Sequence, residues 1–166
     1  MSKSRPQKQT LLLVGEGYDE EAFLKYLKSQ LVGREAGLEV KIKNAKGKGA
    51  KHVIEWTIRQ AKQAEYDVVA ALFDTDTDWS AAVQKQAKAK KIVVLASEPC
   101  FEAMLLRLHG VTPEFDNKKL KKQFEPYVNG AAAVLEHYAA HFNPDILKSK
   151  RHQEKTIDVL LKLLKA

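Results

Sequence analysis

The chain has 166 residues and a formal net charge of +7, with 28 Lys and Arg residues against 21 Asp and Glu residues. A hydrophobic fraction of 45% and a charged fraction of 30% argue against wholesale disorder. No apolar run approaches the ~20 residues of a membrane span, and the basic N-terminus lacks a secretory apolar region. One cysteine excludes an internal disulfide framework. We expect a cytoplasmic protein with no membrane partner.

The basic residues are clustered rather than spread evenly. Three lysine groups stand out: Lys41 to Lys51, Lys85 to Lys91, and Lys118 to Lys122. A basic chain attracts polyanions because binding releases their counterions, so nucleic acid is a natural partner. Lysines on solvated helix faces also keep proteins soluble, so charge alone leaves both interpretations open.

Strand and helix patterns alternate from Thr10 to about Ala96. Four apolar runs predict strands at Thr10–Val14, Leu38–Ile42, Val68–Phe73 and Ile92–Ala96. Between them, apolar residues at helical spacing predict three helices, the last at Ala81–Ala89. Runs that are apolar throughout are typical of parallel strands covered on both faces. The sequence therefore predicts an α/β fold, a doubly wound and mainly parallel four-stranded sheet.

The last third of the chain has a different pattern. A helix is predicted near Pro99 and ends at Gly110, and the strand signal disappears from Pro113 onward. Helical patterns follow at Ala131–Phe142 and Gln153–Leu164. We therefore expect a basic, flexible tail (1–9), a sheet domain (10–110) and a C-terminal helical appendage (111–166).

Acidic residues follow the predicted strands. Glu16 comes after the first strand, Asp74, Asp76 and Asp78 after the third, and Glu102 after the fourth. Ligands of open α/β sheets bind at the carboxyl ends of the strands, and carboxylate oxygens suit Mg²⁺ or Mn²⁺. The alternative is that the aspartates cap the next helix, but a cap needs one acid rather than three. The pattern favours a metal site.

Four protein classes could use such acids. A dinucleotide-binding turn requires a third glycine that is absent after Gly15 and Gly17, and Glu16 would repel a pyrophosphate. Phosphatases of the haloacid-dehalogenase type carry their D-x-D on the first strand. Receiver domains require a fifth strand with a lysine, for which there is no pattern. The fourth class is the Toprim domain of topoisomerases, primases and nucleases.

Two features resemble the Toprim signature: the Glu16-Gly17 turn after the first strand and the Asp74-Thr75-Asp76 segment after the third. In the usual E-G-x-[ST]-E turn, Asp19 here replaces the hydroxyl residue and can still cap the helix. The segment from Ser97 to His109 is similar to the S-N-P-C-F-E-x-W-L-L-L-H segment of RloB-like proteins. Those proteins belong to the OLD-type Toprim nucleases of phage defence and restriction loci. The resemblance covers Leu11 to Gly110.

The resemblance implies a Mg²⁺-dependent (or Mn²⁺-dependent) nuclease that cleaves phosphodiester bonds. Asp74 and Asp76 would hold the metal, with Asp78 and Glu102 assisting, and Glu16 would be a metal ligand or the general acid/base. The chain has no room for the ATPase of full-length OLD proteins, so a partner ATPase or defence-system protein is expected. The alternative is a non-hydrolytic component of a defence or RNA-processing assembly that binds nucleic acid or nucleotides.

The loop after the second predicted strand is rich in lysine and glycine. Lys46, Lys48 and Lys51 lie there, at the same sheet edge as the acids. Glycines let backbone N–H groups approach a phosphate, and the lysines would neutralise it. The loop is therefore a candidate nucleic-acid contact, although a flexible solvated loop would have the same composition.

Overall fold

The structure, a computed structural model, describes residues 8–128 and 131–166, so residues 1–7 of the predicted basic tail lie outside the described residues. The strands are β1 (Gln9–Gly15), β2 (Leu38–Asn44), β3 (Val68–Asp74) and β4 (Ile92–Ser97). The α-helices are α1 (Tyr18–Leu31), α2 (Gly49–Ala61), α3 (Ala81–Ala89), α4 (Phe101–Leu108), α5 (Asn117–Val128), α6 (Pro144–Lys150) and α7 (Lys155–Leu163). Within the described chain, no helix is long and apolar enough to cross a membrane.

The four strands form one sheet in the order β2-β1-β3-β4, and every pairing is parallel. Leu11 of β1 lies beside Val40 of β2 on one side and Val68 of β3 on the other. Each crossover between parallel neighbours runs through a helix, as parallel pairing requires. The predicted α/β fold with a four-stranded parallel sheet is therefore confirmed.

Helices cover both faces of the sheet. Leu11 and Leu13 of β1 pack with α1, α4 and the C-terminal helices. Leu12 and Val14 belong to a separate cluster with α2 and α3 on the other face. Because successive side chains of a strand point to opposite faces, a strand covered on both sides must be apolar at every position. This explains the uninterrupted apolar run of β1.

The C-terminal helices pack against the same face of the sheet as α1 and α4. The centre of this contact is aromatic: the ring of Phe23 in α1 lies 5.3 Å from Tyr138 and 6.5 Å from Phe142. Both residues from the C-terminal third are fully buried. The helical character predicted for residues 111–166 is confirmed, and the core of the sheet continues into this segment without a break.

The helix predicted at Ala131–Phe142 is wrong. This segment has only a short 3₁₀ helix, Leu135–Tyr138, preceded by turns. The hydroxyl of Tyr138 donates to the carbonyl oxygen of Ala132 over 2.7 Å, and a ring nitrogen of His137 lies 2.9 Å from the carbonyl oxygen of Ala131. Side chains therefore bind carbonyls that helical N–H groups would otherwise use, and burial of Tyr138 overrides local helix propensity.

Because Phe142 joins the C-terminal third to the core, Phe142→Ala should destabilise the whole fold. We expect a loss of about 3–5 kcal/mol, the usual cost of emptying a buried phenylalanine site. The matched control is Phe115→Ala, since Phe115 is fully exposed and should change stability by less than about 0.5 kcal/mol. Urea denaturation measures both. Equal, small losses would mean that the C-terminal third does not contribute to the main core.

Candidate metal centre

Glu16 lies where the carboxyl ends of the strands meet. Its backbone N–H donates to the carbonyl oxygen of Leu72 in β3 over 2.9 Å, which extends the β1–β3 pairing by one residue. Its own carbonyl oxygen accepts from the N–H of Gly47, in the loop between β2 and α2, over 2.6 Å. Hydrogen bonds to two different segments thus position the Glu16 backbone at the centre of the carboxyl edge.

Helix α1 places a second glutamate beside Glu16. Glu20 lies in the first turn of α1, is only 7% exposed, and accepts a hydrogen bond from the N–H of Gly17 through Oε2 over 3.1 Å. Gly15 permits this close approach, since a Cβ there would lie 3.0 Å from the nitrogen of Glu21 and 3.1 Å from the Cβ of Glu20. Any larger residue would push α1 and its glutamate away from the strand end.

Asp74, the last residue of β3, supplies the third carboxylate. Its Oδ1 accepts a hydrogen bond from the N–H of Phe101, at the start of α4, over 2.9 Å. The next residues, Thr75 and Asp76, donate their N–H groups to the carbonyl oxygen of Pro99 over 3.2 and 3.1 Å. The loops after β3 and β4 are therefore held together, and α4 orients the Asp74 side chain.

Glu16, Glu20 and Asp74 form an acid cluster in which carboxylate oxygens from the three residues lie within 4.8 Å of one another. Burial raises the pKa of each: to about 7 for Glu16, with the charges of Asp74 and Asp76 adding to the effect, and to about 7 for Glu20. Burial, followed by the charges of Glu20 and Asp76, raises the pKa of Asp74 to about 8. Burial and mutual repulsion therefore disfavour the state in which all three carboxylates are ionised.

A divalent cation would fit this donor set. Hard carboxylate oxygens from three directions are the ligands that Mg²⁺ and Mn²⁺ prefer, whereas the only cysteine, Cys100, is buried with a pKa raised to about 12. Buried like charges at this spacing need protons or a cation to offset their repulsion. The acid cluster is therefore a candidate centre for a hard divalent cation.

A family model described as "RloB: RloB-like protein" matches residues 11–164 of the chain. The chain belongs to the RloB-like family. The match continues past Gly110 into the C-terminal helices, which the sequence resemblance did not cover. No curated protein and no solved structure matches the chain.

The other predicted metal ligands of this RloB-like chain surround the acid cluster at different positions. Asp76 is exposed, and its charge raises the pKa values of Glu16 and Asp74. Glu102 is half-buried in the first turn of α4, and its charge acts on the whole acid cluster. Asp78 is exposed and faces the start of α2, where a Cβ on Gly49 would lie 3.1 Å from its Oδ2. Ligand roles for these residues stay predictions.

The loop between β2 and α2 borders Glu16, as the sequence predicted for its edge of the sheet. Lys46 and Lys48 are exposed in this loop and have positive φ angles of 62° and 71°. Lys51, predicted for the loop, is exposed in the first turn of α2. The N–H of Lys46 donates to the Asn44 side chain and that of Gly47 to Glu16. These two backbone donors therefore have partners within the protein, whereas the lysine side chains extend into solvent.

Glu20 is a site residue that the sequence pattern did not predict. Acids in the first turn of a helix are common because they stabilise its N-terminus, and Glu20 also fits that role. One feature of the sequence could have indicated Glu20: it is the second glutamate of the E-G-x-[ST]-E turn, three residues after Gly17. Its burial depends on how α1 packs over Gly15, which the sequence pattern does not show.

Crowded carboxylates should make the metal-free protein less stable as the pH rises. The folded-state pKa of Asp74 is raised from 3.8 to about 8, so the folded state holds a proton that the unfolded state has lost. Its contribution to stability is therefore present at acidic pH and disappears as the pH rises towards 8. Thermal unfolding in EDTA at several pH values measures this loss.

The matched variant is Asp74→Asn, whose amide oxygen can still accept the hydrogen bond from Phe101. It should raise metal-free stability increasingly between about pH 4 and 8 and abolish Mn²⁺ binding in calorimetric titration. Glu65→Gln, at an exposed position between α2 and β3, is the control for a general change in charge. Wild-type Mn²⁺ affinity in the Asp74 variant would remove this residue from the site.

Proposed function

We propose that this RloB-like protein is a divalent-metal-dependent nuclease of the Toprim type that cleaves phosphodiester bonds in DNA or RNA. The observation that carries the proposal is the acid cluster, in which three carboxylates from two strand ends and a helix converge at the carboxyl edge. The Glu16-Gly17 turn and the Asp74-Thr75-Asp76 segment support the Toprim assignment by resemblance. A cytoplasmic role in phage defence, with a partner ATPase, is proposed on the same resemblance.

The acid cluster is suited to binding a cation beside a phosphate. Glu20 and Asp74 have their orientations set by hydrogen bonds to Gly17 and Phe101, so their free oxygens can act as ligands. Asp76, exposed and close to both Glu16 and Asp74, would complete the ligand set from the solvent side. When bound, Mg²⁺ supplies Lewis-acid stabilisation of the oxygens in an in-line displacement at phosphorus.

Glu16 is the residue we assign to proton transfer. It is half-buried, whereas Glu20 is almost fully buried and already accepts a hydrogen bond from the backbone of Gly17. Its backbone N–H and carbonyl groups are both hydrogen-bonded, so the Glu16 side chain extends from a fixed position at the sheet edge. Positioned in this way, Glu16 can hold or accept a proton of the attacking water or the leaving oxygen.

Glu16→Gln should eliminate cleavage while leaving nucleic-acid affinity within about threefold of wild type. The amide keeps the size of the side chain but cannot exchange a proton at neutral pH. Gel assays with Mg²⁺ or Mn²⁺ on single- and double-stranded DNA and RNA measure cleavage, and fluorescence anisotropy measures affinity. Cleavage at the wild-type rate would exclude Glu16 from the reaction, and a wild-type protein that binds but cleaves none of these substrates would favour the non-hydrolytic alternative.

Glu102 and Glu98 provide a matched pair for testing the extent of the site. Glu102 contributes negative charge to the acid cluster, whereas Glu98 is exposed and lines a separate cavity with Trp79 and Arg107. If Glu102 acts on the metal, Glu102→Gln should slow cleavage at least about a hundredfold, and Glu98→Gln should have little effect. A helix-dipole role alone is worth only about 0.3–1 kcal/mol of stability. Similar, small effects of both changes on cleavage would limit Glu102 to that role.

A further inference from the structure

Helix α5 is held at one side of the acid cluster. It packs into the core through Leu120, Phe124 and Val128. The ring of Phe124 lies edge-on to that of Phe101, with centroids 6.4 Å apart. Since the N–H of Phe101 also binds Asp74, the aromatic contact connects α5 to the third carboxylate of the cluster. The four lysines of α5 are exposed.

One flank of α5 faces Asp19 and Glu102, two acids beside the acid cluster. Lys121 and Glu125 line a cavity of about 200 Å³ together with Asp19 and Glu102. The positive charge of Lys121 partly offsets the rise that burial causes in the pKa of Asp19. Lys118 precedes Lys121 by three residues and so lies on the same side of the helix. Lys121 therefore faces these acids, and Lys118 is its neighbour on the helix surface.

The other flank of α5 faces away from the acid cluster. The Gln123 side chain donates to the carbonyl oxygen of Thr112 over 3.1 Å and accepts from the N–H of Glu114 over 2.8 Å. This flank therefore faces the loop between α4 and α5. Lys119 precedes Gln123 by four residues and shares its flank. Lys122 lies between the two flanks, about 100° around the helix from Lys121 and about 40° from Lys118. At equal charge, the Lys118/Lys121 pair therefore lies nearer to the acids than the Lys119/Lys122 pair.

Lysines also lie on the opposite side of the acid cluster. The loop lysines (Lys46, Lys48 and Lys51) are exposed on the segment whose Gly47 donates to the carbonyl oxygen of Glu16. Among the described residues, neither the loop lysines nor those of α5 form an ion pair within 4.0 Å. Lysines that form no ion pair among the described residues therefore border the acid cluster on two sides.

We propose that a nucleic-acid strand crosses the acid cluster between α5 and the loop lysines, with Lys118 and Lys121 binding phosphates on one side of the scissile bond. The inference rests on the proposed nuclease function. Carboxylates repel the phosphate backbone, and lysines beside them reduce this repulsion, since charges act on each other over a screening length of about 8 Å at physiological salt. The lysines of α3 cannot serve, because they lie from the middle of α3 onward, and this helix runs from the carboxyl edge back towards the start of β4.

Three double variants test this path. The first variant, Lys118→Gln with Lys121→Gln, removes two positive charges from the flank that faces the acids. The second, Lys119→Gln with Lys122→Gln, removes two positive charges from the rest of α5. Lys85→Gln with Lys88→Gln removes the same charge, at the same three-residue spacing, from α3. Glutamine has nearly the helix propensity of lysine, so all three variants should fold. Circular dichroism melting checks this.

Binding is measured in a Glu16→Gln background with Mg²⁺, so that the probe stays intact. The probes are fluorescein-labelled strands of about 30 nucleotides, as single- and double-stranded DNA and RNA, titrated by anisotropy from about 50 to 200 mM NaCl. Each phosphate contact contributes about 0.7–0.9 to the slope of log affinity against log salt. Salt dependence therefore distinguishes a phosphate contact from a purely structural role.

The Lys118/Lys121 variant should weaken binding about tenfold at low salt and reduce the slope by about 1.4–1.8. The other two variants should change affinity by less than about threefold with nearly unchanged slopes. Equal weakening by both α5 variants, or none by the Lys118/Lys121 variant, would overturn the proposed path while leaving the nuclease proposal intact. Failure of the parent protein to bind any probe would overturn both.

Discussion

Three carboxylates must share the carboxyl edge of the sheet, where burial raises the pKa values of Glu16, Glu20 and Asp74 to between about 7 and 8. No lysine or arginine forms an ion pair with any of the three among the described residues. Repulsion is therefore built into the fold and is offset only by protons or by a bound cation. A protein that merely needed stability would place apolar side chains at this edge, and this contrast supports the proposed metal binding.

Backbone hydrogen bonds keep these repelling groups in place. Glu16 is bound through its N–H to β3 and through its carbonyl to Gly47, while the segment after Asp74 is bound to Pro99. The connections involve segments that follow all four strands, so the backbones at the carboxyl edge are held to one another. The C-terminal third supports the same edge indirectly, because Tyr138 packs against Phe101 at the start of α4. The RloB-like match over residues 11–164 agrees with one continuous unit of structure.

Most of the fold could be predicted from the sequence because its signals are local. The predicted strands and the helix at Ala81–Ala89 agree with the structure to within one or two residues, since buried parallel strands require continuous apolar runs. The RloB-like resemblance could be identified from residues Ser97 to His109 and is confirmed by the family match. The segment Ala131–Phe142 could not be predicted, because burial of Tyr138 against the distant Phe23 decides its conformation.

The sequence by itself determined the sheet, its helices and the presence of acids after three of its strands, because hydrophobic periodicity and residue order suffice for these features. Only the tertiary structure decided which acids converge. It brings Glu20 to Glu16 and Asp74, turns Asp78 towards the start of α2, and places α5 beside the cluster. These outcomes depend on how α1 packs over Gly15 and on how Phe124 of α5 packs against Phe101. Distances between segments that are remote in the chain are set by packing, and local sequence patterns do not encode them.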